Sequence, residues 1–266
     1  PRATKRAGAW MNNIVDASNI DGENQRPIIV NVGNFTRPTA DTPSLLTIDE
    51  TRTLFHELGH ALHGFLTQTH YPTVSGTSVA RDFVELPSQV MEHWVFEPEM
   101  LALYAKHYET GEVMPTSLVE KLEKSGKYGQ GFATAEYWAA AWLDMKFHFL
   151  KELPEGFDVM AFEKQVMDEL KLPKQIAPRY RTTYFNHTMG GGYTAGYYSY
   201  IWAEVLDADA YQAFKETGDI FNPEVARKFR TEVLERGGED DAMKLYVNFR
   251  GEEPGIDALL VNRGLK

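Results

Sequence analysis

The stretch TIDETRTLFHELGHALHGFL, residues 47–66, decides how the rest of the chain is read. Thr47 with Glu50 three residues later is a capping box, the local signature of a helix start. Ile48, Leu54, Phe55, Leu58, Leu62, Phe65 and Leu66 then recur at roughly helical spacing and give the helix an apolar face. Inside it stands His56-Glu57-Leu58-Gly59-His60, an HExxH run. On an α-helix, residues i and i+4 are about 40° apart around the axis and about 6 Å apart along it. The imidazoles of His56 and His60 can therefore converge on one metal ion, with Glu57 beside them and free to reach a water. The competing reading, two solvent-exposed histidines on an ordinary helix, leaves the partners described next without a purpose.

A hydrolytic zinc site uses three protein ligands and keeps one position open. The 266 residues contain no cysteine, which excludes disulfides, thiolate ligands and a cysteine nucleophile together. The third ligand must then be a histidine or a carboxylate. His63 returns to nearly the same helix face but lies about 10 Å along the axis from His56, too far to share an ion, and reads as packing. Glu85 follows His56 by 29 residues in DFVELPSQVMEHWVF, residues 82–96. A carboxylate among Phe, Val, Leu and Pro is costly unless it is paired or bound to a metal. Glu92, one heptad on, is the alternative ligand, or the group that orients one of the histidines. Glu85 is preferred, since only it has apolar neighbours on both sides.

A second unusual stretch is YFNHTMGGGYTAGYYSY at 184–200. Three consecutive glycines allow close backbone approach to a ligand. Tyrosines and His187 crowd around them, and phenol O–H or imidazole N–H donors suit a developing oxyanion. Tyr197 and Tyr198 read equally well as core residues that use their hydroxyls structurally.

TLFHELGHALHGFL, SGT at 75–77 and RDFVELPSQVMEHW at 81–94 together resemble the thimet oligopeptidase family of gluzincin peptidases. The metzincin pattern HExxHxxGxxH fails, because His63 and Leu66 stand where Gly and His are needed. The run HxxGGGY at 187–193 is more similar to the family's bacterial peptidyl-dipeptidase (dipeptidyl carboxypeptidase) branch. GAWMN at 8–12, RPIIVNVGNF at 26–35, APRYR at 177–181 and RGLK at 263–266 extend the likeness nearly end to end. The resemblance implies one zinc ion held by His56, His60 and Glu85, with Glu57 as general base. It assigns substrate binding to Tyr193 and to the loop backbone at Gly191 and Gly192. Tyr200, with Tyr193 or the loop histidine His187, is the implied oxyanion donor. A peptidyl-dipeptidase also needs a cation for the substrate's terminal carboxylate; Arg81, Arg179 and Arg181 are candidates, and Arg181 is taken first. Members of this family are much longer, so residues 1–266 are expected to be the C-terminal catalytic domain of a two-lobed chain whose N-terminal half is the missing partner.

The implied function is release of C-terminal dipeptides from short peptides. The alternatives are an oligopeptidase making internal cuts, and a catalytic half that binds zinc but is inactive alone. Bulk properties agree with a folded enzyme. Hydrophobic residues are 43% and charged residues 24%. The net charge of -11 argues against nucleic acid as a partner. No apolar run approaches the roughly 20 residues of a membrane span. The chain starts at Pro1 with no Met and reads as a piece of something longer, so the lack of a signal-like segment there means little; the cytoplasm is the expected compartment. The expected fold is mainly α with a small β element, a zincin-like domain built on the HExxH helix. Its strand, an edge one, lies at 27–32, and a short element of unassigned type is possible at 8–15. Helices are expected at 83–96 (starting near Pro87 or bent there), 98–110, 115–124, 128–151 (apolar enough to be largely buried), 158–170, 194–216, 222–234 and 239–249.

Overall fold

The β-branched run after Pro27 does find the earlier segment. In the computed structural model, which describes residues 4–266, β1 (Trp10–Val15) lies antiparallel to β2 (Ile28–Val32). Trp10 faces Val32, and a bulge at Ile14 shifts the register before Val15 meets Ile28. With only two strands in the sheet, each keeps an unpaired edge.

The HExxH helix, α1 (Ile48–Leu66), starts as its capping box requires. Thr47 Oγ1 accepts from Glu50 N at 3.2 Å, and Thr47 N donates to the Glu50 carboxylate at 2.9 Å. The sheet packs on α1 through Ile29, whose side chain occupies the space that a side chain at Gly64 would need. The next helix, α2 (Leu86–Glu92), carries Pro87 in its first turn rather than bending there, since a proline in that turn costs no hydrogen bond. A 3-10 turn, His93–Phe96, follows it.

Helices α1 and α2 approach closely because residue 59 is glycine. A Cβ there would lie 2.4 Å from the Pro87 carbonyl oxygen and 2.6 Å from Ser88 Cα. Gly59→Ala is therefore expected to push α2 away and cost about 1–3 kcal/mol, roughly 2–10 °C in Tm. Weakened zinc retention should accompany the loss in a thermal melt, because Glu85 sits at the N-terminus of α2.

The remaining helices are α3 (Pro98–Tyr104), α4 (Thr116–Gly126), α5 (Gln130–His148), α6 (Val159–Glu169), α7 (Asn186–Met189), α8 (Tyr198–Lys215), α9 (Pro223–Phe229), α10 (Ala242–Arg250) and α11 (Asp257–Asn262). The main core joins α2, α8, α9 and α10 through Leu86, Val90, Leu206, Phe214, Phe229 and Tyr246. A smaller cluster joins α5 to the start of α8 through Tyr137, Ala140, Phe185 and Tyr197.

Several expectations are corrected. α3 stops at Tyr104, and the chain turns back at Gly111, where φ is +73°, to bridge Lys106 with Val113. α8 begins four residues later than its pattern suggests, because 190–197 form the loop described below. α9 ends in a π-turn at Arg230–Leu234, and α11 was not anticipated. α5 is not largely buried: Phe132 and Trp138 are each 51% exposed, and only its Tyr137, Ala140 and Leu143 side faces the core. No helix among the described residues is long and apolar enough to cross a membrane.

Candidate metal centre

His56 and His60 project from adjacent turns of α1 towards Glu85. Each Nε2 lies 3.2 Å from Glu85 Oε2, and one ligand atom from each of the three residues falls within 4.8 Å of the others. A tetrahedral ion with bonds of about 2.0–2.1 Å keeps its ligand atoms about 3.4 Å apart, close to the 3.2 Å from each Nε2 to Glu85 Oε2, so the donor set fits zinc. The chemistry fits as well, since a carboxylate only 2% exposed demands a cation.

The surroundings orient these ligands. His56 Nδ1 lies 2.7 Å from Glu92 Oε1, which turns Nε2 towards Glu85 as the nitrogen a metal would take. Glu92 thus meets His56 from behind and is not among the three converging groups. Burial lowers the pKa of His56, but hydrogen bonds to Glu85 and Glu92 outweigh it and raise it to about 10. Burial likewise opposes charge on Glu85, yet His56 and His60 hold its pKa well below the ordinary carboxylate value. Ser88 Oγ donates to Glu85 Oε2 at 3.0 Å, and the phenol of Tyr193 donates to Oε1. Glu92→Gln is expected to weaken zinc binding about 10–100-fold in a chelator competition, with the fold unchanged.

Glu57 is not a ligand. Its carboxylate is buried, with Oε2 free of any hydrogen-bond partner, while its backbone carbonyl accepts from Asn31 on β2 at 3.0 Å. Burial holds its pKa above the usual carboxylate value of 4.5, against the pull of His56 and His60. An unpaired buried carboxylate oxygen is a poised proton acceptor. His63 is fully buried, and both its ring nitrogens lack partners. Burial, then His60, lowers its pKa to about 3, so it is neutral packing as its distance along the helix requires.

The glycine loop lies over this site. Tyr193 and Tyr200 stack with ring centroids 4.9 Å apart, and His187 is 6.3 Å from the first and 6.2 Å from the second. Burial and then Glu85 raise the pKa of both phenols, so both remain donors at neutral pH. Burial and then Arg179 lower that of His187. Gly191 is required by space, since a Cβ would lie 2.7 Å from the His187 carbonyl oxygen. At Gly192 a Cβ would meet the guanidinium of Arg81 at 3.4 Å. Tyr197 is core, and Tyr198 is tied to Asp82 at 2.8 Å.

Arg181 is engaged elsewhere: its guanidinium satisfies the buried carboxylate of Glu163 on α6, with Nε and Nη2 both 2.7 Å from Oε1. Arg81 lies 4.8 Å from the centroid of the Tyr193 ring, and Arg179 lies 5.3 Å from that of Tyr137. An apolar cavity of about 360 Å³ lined by Leu62, Val90, Trp94 and Phe229 includes none of these groups and is separate from the site.

The model of peptidase family M3 matches residues 1–265. The chain belongs to peptidase family M3. Among M3 relatives, the dipeptidyl carboxypeptidase of Salmonella typhimurium is 44% identical over 266 residues, covering 99% of this chain and 38% of its own length. Oligopeptidase A of Escherichia coli is 41% identical over 272 residues, covering 100% of this chain and 39% of its own. The thimet-like oligopeptidase of Dictyostelium discoideum is 35% identical over 249 residues, 92% of this chain and 36% of its own. The chain thus spans less than two-fifths of these relatives.

The sequence reading of this M3 chain missed two groups. Gln89 donates to the Tyr200 carbonyl at 3.3 Å, joining α2 to α8. Its place in the same turn as Ser88, four residues after Glu85, was the available signal. Asp144, discussed below, carried no local signal beyond being an acid in an apolar helix.

Proposed function

We propose that this chain is the catalytic half of a two-lobed zinc peptidase that releases C-terminal dipeptides from short peptides. The observation that carries the reading is the unpaired Glu57 oxygen beside three converging ligands, His56, His60 and Glu85. Zinc, when bound there, supplies a Lewis acid that polarises the scissile carbonyl and lowers the pKa of water. Glu57 Oε2 takes the proton of the attacking water and passes it to the leaving nitrogen. Tyr200, with Tyr193 or His187 beside it, donates to the oxyanion. The free edge of β2, joined to Glu57 through Asn31, suits an extended peptide laid on as a further strand. Arg81 over Tyr193 supplies a cation for the terminal carboxylate.

The HxxGGGY spacing and the 44% identity to a dipeptidyl carboxypeptidase favour removal of dipeptides. The 41% identity to an oligopeptidase A favours internal cuts as the second reading. A cytosolic location belongs to the same proposal; relatives from Arabidopsis thaliana include a probable cytosolic and an organellar oligopeptidase A. The test is mass spectrometry of products from a hexapeptide with a blocked N-terminus, with and without chelator. Successive chelator-sensitive loss of C-terminal dipeptides is expected. Scattered internal cuts would replace the reading with the second one. No cleavage by zinc-loaded protein would mean that the N-terminal half is needed for turnover.

A further inference from the structure

The two stacked tyrosines stand on either side of a turn that has little to hold it. Residues 190–196 include four glycines, and Ala195 adopts φ +52°, a left-handed conformation disfavoured for an L side chain. α8 follows at once, with a tyrosine at its N-cap and no side-chain cap of its own. Ser199 N and Tyr200 N donate locally, to Gly196 O at 3.1 Å and Tyr197 O at 3.4 Å, whereas the N–H groups of Ala195 and Tyr197 in the turn itself look elsewhere for an acceptor.

The missing acceptor comes from α5, about fifty residues earlier. Asp144 is fully buried; its Oδ1 accepts from Ala195 N at 3.1 Å and its Oδ2 from Tyr197 N at 2.9 Å. His148 Nδ1 lies 2.9 Å from Oδ1 and completes the carboxylate's partners. A carboxylate in the middle of an apolar helix is costly to bury, and here both oxygens are spent on one turn. That turn joins Tyr193, which bonds Glu85, to Tyr200, which stacks on Tyr193.

We infer that Asp144 is a positioning residue: it holds the turn that leads into α8 and thereby sets the Tyr193–Tyr200 pair against His56, His60 and Glu85. It acts through the backbone N–H groups of Ala195 and Tyr197. The inference rests on the peptidase reading only where it concerns turnover; the hold on the turn is independent of it. Asparagine at this position can accept one of the two N–H groups but turns its own N–H₂ towards the other.

The test compares wild type, Asp144→Asn and His148→Gln by amide exchange, zinc binding and peptide kinetics. In wild type, the amides of Ala195 and Tyr197 should exchange at least ten times more slowly than other loop amides. In Asp144→Asn they should lose that protection while α1 and α2 keep theirs and zinc affinity stays within about threefold. The kcat should fall about 30- to 100-fold, the scale expected when donors shift by about 1 Å, with KM changed less than threefold. His148→Gln should keep loop protection and kcat within threefold.

Fast exchange of the two amides in wild type overturns the inference without recourse to any variant. So does Asp144→Asn with unchanged kcat, or His148→Gln as damaging as Asp144→Asn, which would make the pair a fold element only. A variant that unfolds or loses zinc also counts against positioning. A wild-type protein that cleaves no peptide counts against the peptidase reading instead, and the exchange pattern then decides the hold on the turn.

Discussion

Glu57→Gln is expected to lower kcat for peptide hydrolysis by about 10³-fold, within the range for loss of a general base. Zinc content should be unchanged, because Glu57 is not among the three converging ligands. KM should stay within about threefold, since glutamine keeps the shape and loses only the ability to take a proton. A fluorogenic peptide assay beside metal analysis checks both. Retained activity would place the base elsewhere. The pH dependence follows with a definite sign. Burial raises the Glu57 pKa above 4.5, and the base must be ionised. Wild-type kcat/KM should therefore fall as pH drops through that raised value, with the acid limb above pH 4.5. The same shift bears on stability. A group whose folded pKa is raised stabilises most below its unfolded value and loses that contribution as pH rises through the folded one. At pH 7 the ionised, buried Glu57 is a net cost, so the variant should melt at the same temperature as wild type or higher.

Glu85→Ala should have the other large effect, loss of the metal itself. Structural zinc sites hold their ion by about 10–16 kcal/mol over four ligands, so one ligand is worth about 4 kcal/mol, on the order of 10³ in affinity. Competition with a chromogenic chelator measures this directly, and hydrolysis should vanish with the zinc. The variant also strands the phenol of Tyr193 and the hydroxyl of Ser88, which both donate to Glu85. A variant that still bound zinc tightly would show that another carboxylate can ligate. Glu92 is the group to suspect, since its Oε1 is already 2.7 Å from His56.

The contrast between Glu85 and Glu92 shows how far local reading goes. Apolar neighbours on both sides single out Glu85 in the sequence, and Glu85 is the acid that converges with His56 and His60, while Glu92 meets His56 Nδ1. The arginines had no such signal. Arg81, Arg179 and Arg181 look alike in sequence, yet Arg181 serves the buried Glu163 whereas Arg81 lies over Tyr193. A guanidinium is long and finds whichever carboxylate or ring the packing brings near. α5 misled for a related reason: its aromatic content implies burial, but Trp138 is on the outer side and only the alanine and Tyr137 side meets α8.

What the sequence by itself determined is what backbone geometry transmits over a few residues. The capping box starts α1, the i, i+4 spacing brings His56 and His60 together, and Pro87 sets the start of α2. Those relations hold in any tertiary setting, because helix hydrogen bonding fixes them. What only the tertiary structure decided are relations between distant elements: the close contact at Gly59, the placing of Arg81 over Tyr193 and of Arg181 on Glu163, and the bonds from the turn before α8 to Asp144. Each depends on which surfaces meet when the core closes, and no spacing along the chain records that.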